Sequence, residues 1–161
     1  MISLNHDNYY SLAANRDYMS VSQYKQFLKC PACAMAEISG DYFREETTAL
    51  LLGNFVDSYF EGTQDVFIRR HPEIMKRDGS LKAEFVKAEE AIKRISEQPI
   101  MMECLSGKKQ EIMTGVIGGV TFKIKMDSYR PGTMIADLKY MRDFEDIYVK
   151  EHGRLPWYEA W

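Results

Sequence analysis

Two periods follow one another along the chain. From about residue 20 to residue 105 the apolar positions return every three to four residues; from Gln110 onward they alternate. The first spacing puts apolar side chains on one stripe of a helix, the second on one face of a strand. Ser20 can cap a helix whose Val21, Tyr24 and Leu28 share a side. Cys30-Pro31 interrupts it, and Ala34 to Ile38 can resume as helix. Thr47 to Phe60 reads as a strong helix with Leu52, Phe55, Val56, Tyr59 and Phe60 on its stripe. Leu81 to Glu97 is a second, with Phe85, Ala88, Ala91, Ile92 and Ile95 inward and Pro99 as its stop. Asp65 to Pro72 is expected as a loop or short strand, Lys76 to Ser80 as a turn on Asp78-Gly79, and Ile100 to Leu105 as a helical turn. Residues 1–17 are polar and irregular, an expected N-terminal arm.

The alternating part reads as a hairpin. Glu111 to Ile117 and Val120 to Asp127 flank Gly118-Gly119, a dipeptide suited to a tight strand connection. Val120, Phe122, Ile124 and Met126 line one face; Thr121, Lys123, Lys125 and Asp127 line the other. A turn at Arg130 to Thr133 leads to a further short strand, Met134 to Lys139, and Asp143 to Glu151 looks helical. Helices before strands in one chain point to an α/β (α+β) fold, a small mixed sheet flanked by helices.

This arrangement gives three side chains a possible chemistry. Asp137 and Lys139 are two apart and share a strand face, and Asp127 joins them if its strand lies alongside. Two carboxylates suit a hard divalent ion that also takes phosphate oxygens. A neighbouring ammonium can orient a water and offset phosphate charge. An accidental Asp and Lys on an exposed strand is the plain alternative. Gly53 and Asp57 share a helix face, and a glycine inside a helix suggests close approach of another element, with Asp57 one turn away. Lys123 and Lys125, on the Asp127 face, form a candidate phosphate track. Arg69, Arg70 and His71 read as a solvated basic cluster.

Bulk properties narrow the setting. At 161 residues the natural expectation is one domain with a sizeable core. No apolar run approaches the roughly 20 residues that span a bilayer, and the N-terminus lacks the regions of a secretion signal. The net charge of -3 disfavours a nucleic-acid binder in the mean but leaves room for a local patch. Three cysteines make no disulfide framework, which points to a reducing cytoplasm. Cys30 and Cys33, with Cys104 as a third, lack a fourth ligand for zinc or an iron–sulfur cluster, so small buried thiols around a kink at Pro31 are expected.

The order of these features resembles the PD-(D/E)xK nuclease superfamily, and within it the RecB-like and RecE-like exonucleases of phages and prophages. Ser20-Val-Ser22-Gln-Tyr24 through Phe27-Leu28-Lys29-Cys30-Pro31 is similar to the SxSxLxxFxxCP opening of RecB-like nucleases. Gly53 to Asp57 stands where they carry GxxxH, and Met126-Asp127 and Asp137-Leu138-Lys139 stand at the D and (D/E)xK positions. The similarity runs from about Tyr18 to the chain end, giving residues 18–161 as the nuclease-like domain. It implies a restriction-endonuclease-like core in which Asp127, Asp137 and Lys139 are catalytic. Asp57, Asp127 and Asp137 would hold Mg²⁺ or Mn²⁺, Asp57 replacing the family histidine with another oxygen donor. Glu111 is a candidate further acid, and Lys123, Lys125 and Tyr140 candidate DNA contacts. The resemblance also implies DNA degraded from an end during recombination, a RecT-type annealing partner, and a possible homo-oligomer. Relatives usually continue into a helix bearing Gln-xxx-Tyr, whereas this chain stops at Leu-Pro-Trp157-Tyr-Glu-Ala-Trp161, so a domain incomplete at that end is expected. Two other readings stand beside it: a non-catalytic DNA-binding or assembly module of the same fold, and a Cys-metal interaction domain.

Overall fold

The structure, a computed structural model, describes residues 1–141. The helix expected from Asp143 to Glu151 and the aromatic stretch at Trp157 lie outside the described residues. Within them, helices come first and strands last: α1 (Leu12–Asp17), α2 (Val21–Lys29), α3 (Pro31–Ser39), α4 (Thr48–Glu61), α5 (Gln64–Arg70), a 3-10 turn (Pro72–Ile74), α6 (Ala83–Ser96), α7 (Pro99–Cys104), β1 (Lys108–Ile117), β2 (Val120–Arg130) and β3 (Met134–Ala136). The fold is α+β, as the two periods imply. Its sheet has the order β1-β2-β3, antiparallel throughout. Among the described residues the parallel component of the expected mixed sheet is a single bridge between Met19 and Phe122.

Local chemistry sets the helix ends. The Ser20 hydroxyl accepts from the Gln23 N–H while the Gln23 side chain accepts from the Ser20 N–H, a reciprocal cap on α2. At α4 the cap runs one way, the Thr47 hydroxyl accepting from the Leu50 N–H. Cys30 both ends α2 and caps α3, with Pro31 at the first position of the new helix, where its missing N–H costs nothing. The core lies between α4 and α6: Phe55, Val56, Ile74, Phe85, Ala88 and Ile92 are buried together. Phe55 meets Phe85 edge-on at 5.4 Å between centroids and Phe67 at 6.1 Å. Leu138 and Tyr140 pack against this cluster from the sheet side. They bring the segment after β3 against the helical layer.

Three expectations are corrected here. The stretch expected as loop or short strand is helix α5. Gly62, at φ 76°, closes α4, and α5 follows with Asp65 in its first turn and Arg69 and Arg70 in its last, a charge order that suits the helix dipole. The arm is built into the fold: it contains α1, and Tyr9 and Ala14 are buried. Cys30 and Cys33 are not buried thiols; they are joined as a disulfide, with Cys33 exposed.

The same arm corrects the reading of β2. Lys123 is only 1% exposed. Its ammonium donates to the Tyr9 carbonyl at 2.5 Å and to Asn15 Oδ1 at 2.7 Å, and lies 4.6 Å from the centre of the Tyr9 ring. Lys125 sits 4.6 Å from the Tyr10 ring centre. The Met19 backbone bridges to the same strand: its N–H donates to the Thr121 carbonyl at 2.8 Å and its carbonyl accepts from the Lys123 N–H at 2.9 Å. Residues 1–19 therefore cover Lys123, which offers no charge to an outside phosphate, while Lys125 stays half-buried beside the exposed Tyr10.

Candidate active site

Helix α4, strand β2 and the segment after β3 meet at one cleft. Helix α4 contributes Asp57 and, one turn on, Glu61. Strand β2 contributes Asp127, and the pairs Lys109↔Ser128 and Glu111↔Met126 leave Gln110 opposite it. Gln110 has φ 54°, a left-handed backbone unusual outside glycine, and its amide reaches Asp127 Oδ1 at 3.4 Å. Phe60, Leu105, Lys109, Gln110 and Leu138 complete the walls.

Register explains how Asp137 arrives. Ser128 pairs with Ala136, so one more step would set Asp137 directly opposite Asp127. Like charges directly across a ladder repel, and the ladder stops at that step. Instead of a strand-to-strand bond, the Leu138 N–H donates to Asp127 Oδ2 at 2.8 Å. The expected strand through Lys139 is thus shortened to Met134–Ala136, yet Asp137 and Lys139 still fall on one side: Lys139 Nζ lies 2.5 Å from Asp137 Oδ2.

The charges act on one another strongly. Burial first, then the Asp127 carboxylate, then Glu61 and Asp137, push the Asp57 carboxyl up to about 7, with Lys139 opposing them. Burial holds the Lys109 ammonium below its usual range, opposed by Asp127 and Glu61. Carboxylates crowded until one keeps its proton near neutrality make a place that favours a cation. The donors are all oxygen, which fits Mg²⁺ or Mn²⁺. Among the described residues, Asp57, Asp127 and Asp137 do not draw together within 4.8 Å as a trio, a spacing compatible with an ion that keeps part of its water shell.

The structure brings Asp57, Asp127, Asp137 and Lys139 into this neighbourhood and leaves other candidates outside it. Glu111 stands opposite Met126, so it shares that residue's face and not the Asp127 face. Tyr140 is half-buried against the core instead of standing clear for DNA. Gly53 is not explained by a close approach, because a Cβ there would meet nothing within 4 Å. The close approach belongs to Gly107, where a Cβ would lie 2.7 Å from the Tyr129 carbonyl oxygen and from Ser128 Oγ. Sequence reasoning missed Glu61, Lys109 and Gln110. Glu61, four residues after Asp57 on a confident helix, was open to detection; Lys109 and Gln110 enter the cleft through register and a backbone angle that have no sequence signature.

A crystal structure of a protein from Eubacterium rectale, described as a "putative exonuclease", superposes with a TM-score of 0.91 at 45% sequence identity. The match covers 100% of this chain and 63% of that one, so the chain spans less than two thirds of that protein's length. No curated protein matches. Residues 20–161 match the family model of a PDDEXK-like domain of unknown function (DUF3799). With the family model matching residues 20–161, the chain belongs to this PDDEXK-like family.

Proposed function

We propose that the chain carries the centre of a metal-dependent deoxyribonuclease that hydrolyses phosphodiester bonds. The observation that supports this reading is that Asp57 and Asp127 line one cleft of a PDDEXK-like domain, with the ion-paired Asp137 and Lys139 close enough to act on the Asp57 charge. Asp57, Asp127 and Asp137 would hold Mg²⁺ or Mn²⁺, which when bound supplies positive charge for the phosphate and acidity for a water. Asp127 keeps Oδ2 on the Leu138 N–H, so its orientation is fixed by backbone and not by the ligand. Lys139, held beside Asp137, can hydrogen-bond the attacking water or a phosphate oxygen and offset charge there. Asp57 is poised to hold a proton near neutrality in the metal-free chain, and would give it up in order to serve as a ligand.

The description of the Eubacterium rectale protein favours attack from a DNA end. The resemblance to phage exonucleases adds a recombination setting and a single-strand annealing partner. The test is release of nucleotides from an end-labelled linear duplex, with closed circular duplex as control. Mg²⁺ and Mn²⁺ should support release, and Ca²⁺ and EDTA should not. Asp137→Ala should abolish release with unchanged circular dichroism, and Lys139→Ala should lower it at least about a hundredfold, the scale of losing one charge-stabilising group. Activity of Asp137→Ala equal to the parent's would end the assignment; DNA binding without cleavage under any divalent ion would favour the non-catalytic module.

A further inference from the structure

Away from the cleft, the turn after α5 assembles a different donor set. His71 Nδ1 lies 2.9 Å from Glu73 Oε1 and 4.0 Å from Glu46 Oε2, and the three ligand atoms all fall within 4.8 Å of one another. Glu46 comes from the segment leading into α4. His71 and Glu73 flank Pro72, whose ring restricts the backbone between them. The imidazole is held in place: it stacks on Phe67 at 4.3 Å between centroids and 29° between planes, and Phe67 packs edge-on against buried Phe55. That packing keeps the Nδ1 edge turned to both carboxylates. A single proton on Nδ1 serves Glu73 but not Glu46, which at 4.0 Å is beyond hydrogen-bond reach.

A divalent ion satisfies all three at once. With metal–ligand bonds of about 2.0–2.2 Å, neighbouring ligand atoms of a tetrahedral site stand roughly 3.3–3.6 Å apart. The observed 2.9 and 4.0 Å lie on either side of that separation. One imidazole nitrogen with two carboxylates also differs in kind from the all-oxygen cleft, and it favours a borderline ion such as Zn²⁺ over Mg²⁺. We propose that Glu46, His71 and Glu73 bind one Zn²⁺-class ion, with water completing its shell, as a clip between the segment before α4 and the turn after α5. The clip closes the chain around α4 and α5 and braces the helix that carries Asp57, without any residue entering the cleft.

The experiment is equilibrium dialysis of the chain against Zn²⁺, with millimolar Mg²⁺ present and reductant absent, alongside thermal melts with and without Zn²⁺. One Zn²⁺ per chain is expected with a Kd of about 10 μM or tighter, together with a rise in melting temperature. His71→Gln and Glu46→Gln should each weaken binding at least about tenfold and remove the Zn²⁺-dependent rise. Cys104→Ser should bind as the parent does. If His71→Gln disturbs the fold, as melts in EDTA would reveal, the exposed Glu46→Gln carries the test. No stoichiometric binding below about 100 μM, or parental affinity in Glu46→Gln, overturns the proposal.

Discussion

Replacing Asp57 by Asn should stabilise the metal-free protein at pH 8. The Asp57 carboxyl stands at about 7 in the fold against 3.8 for the ordinary group. Its folded affinity for the proton is thus the higher one, and between about pH 4 and 7 the folded chain holds a proton that the unfolded chain has released. Stability contributed by that carboxyl falls as pH rises through this window and stays lost above it. At about 1.4 kcal/mol per tenfold change in proton affinity, the handicap at pH 8 has a ceiling of about 4 kcal/mol. Asp57 is only partly buried, and water and counter-ions screen it, so about 1–2 kcal/mol is expected. Asn keeps the shape and carries no charge, so it escapes the penalty. For a chain of this length that is roughly 3–6 °C in melting temperature.

The assay is a set of thermal melts of parent and Asp57→Asn in EDTA at pH 4.5 and pH 8. The gap should be present at pH 8 and nearly closed at pH 4.5. Adding Mg²⁺ at pH 8 should raise the parent more than the variant, because the parent alone presents the full carboxylate set. An Asn variant that melts at or below the parent at pH 8 in EDTA would refute the electrostatic account of the cleft.

Other outcomes follow from packing. Lys123→Ala leaves the Tyr9 carbonyl and Asn15 without their buried donor and should lose about 2–4 kcal/mol in urea unfolding; a loss under 0.5 kcal/mol would show that the ammonium is not an anchor. Gly107→Ala, whose Cβ must displace the Tyr129 backbone, should lose at least about 2 kcal/mol, while Gly53→Ala, in open space inside α4, should gain about 0.5–1 kcal/mol. Equal effects at the two glycines would contradict that contrast. Ser20→Ala should cost about 1 kcal/mol by removing the cap of α2, and Ser20→Asp should restore most of it.

What was legible in the chain depended on how local its cause is. The stripe through Leu52, Phe55, Val56 and Phe60 and the turn at Gly118-Gly119 carry their own structural instructions, and α4 and the hairpin formed where those patterns place them. The spacing of Asp137 and Lys139 likewise survived even though the strand ended early. Lys123 went the other way. An alternating strand shows which residues share a face but not whether that face meets water, and here the distant Tyr9 and Asn15 decide it. Helix α5 was missed because seven residues give a weak period, and its end charges were the better signal. Gly53 teaches the converse: a glycine marks only potential proximity, and the surrounding fold leaves open space there while crowding Gly107.

The bond from the Leu138 N–H to Asp127 has a consequence for how such a centre can diversify. Under the proposed function one carboxylate serves the backbone and the reaction together, so position 127 answers to two selective demands at once. An amide there could orient its oxygen toward Leu138 and preserve the strand junction while lacking the second anionic oxygen. A lineage could therefore silence this cleft by a single conservative exchange and still inherit an intact fold, free to be recruited as a scaffold. Among the described residues Asp57, whose charge is a burden without a cation, makes no such bond, and drift there would be expected to remove the charge first.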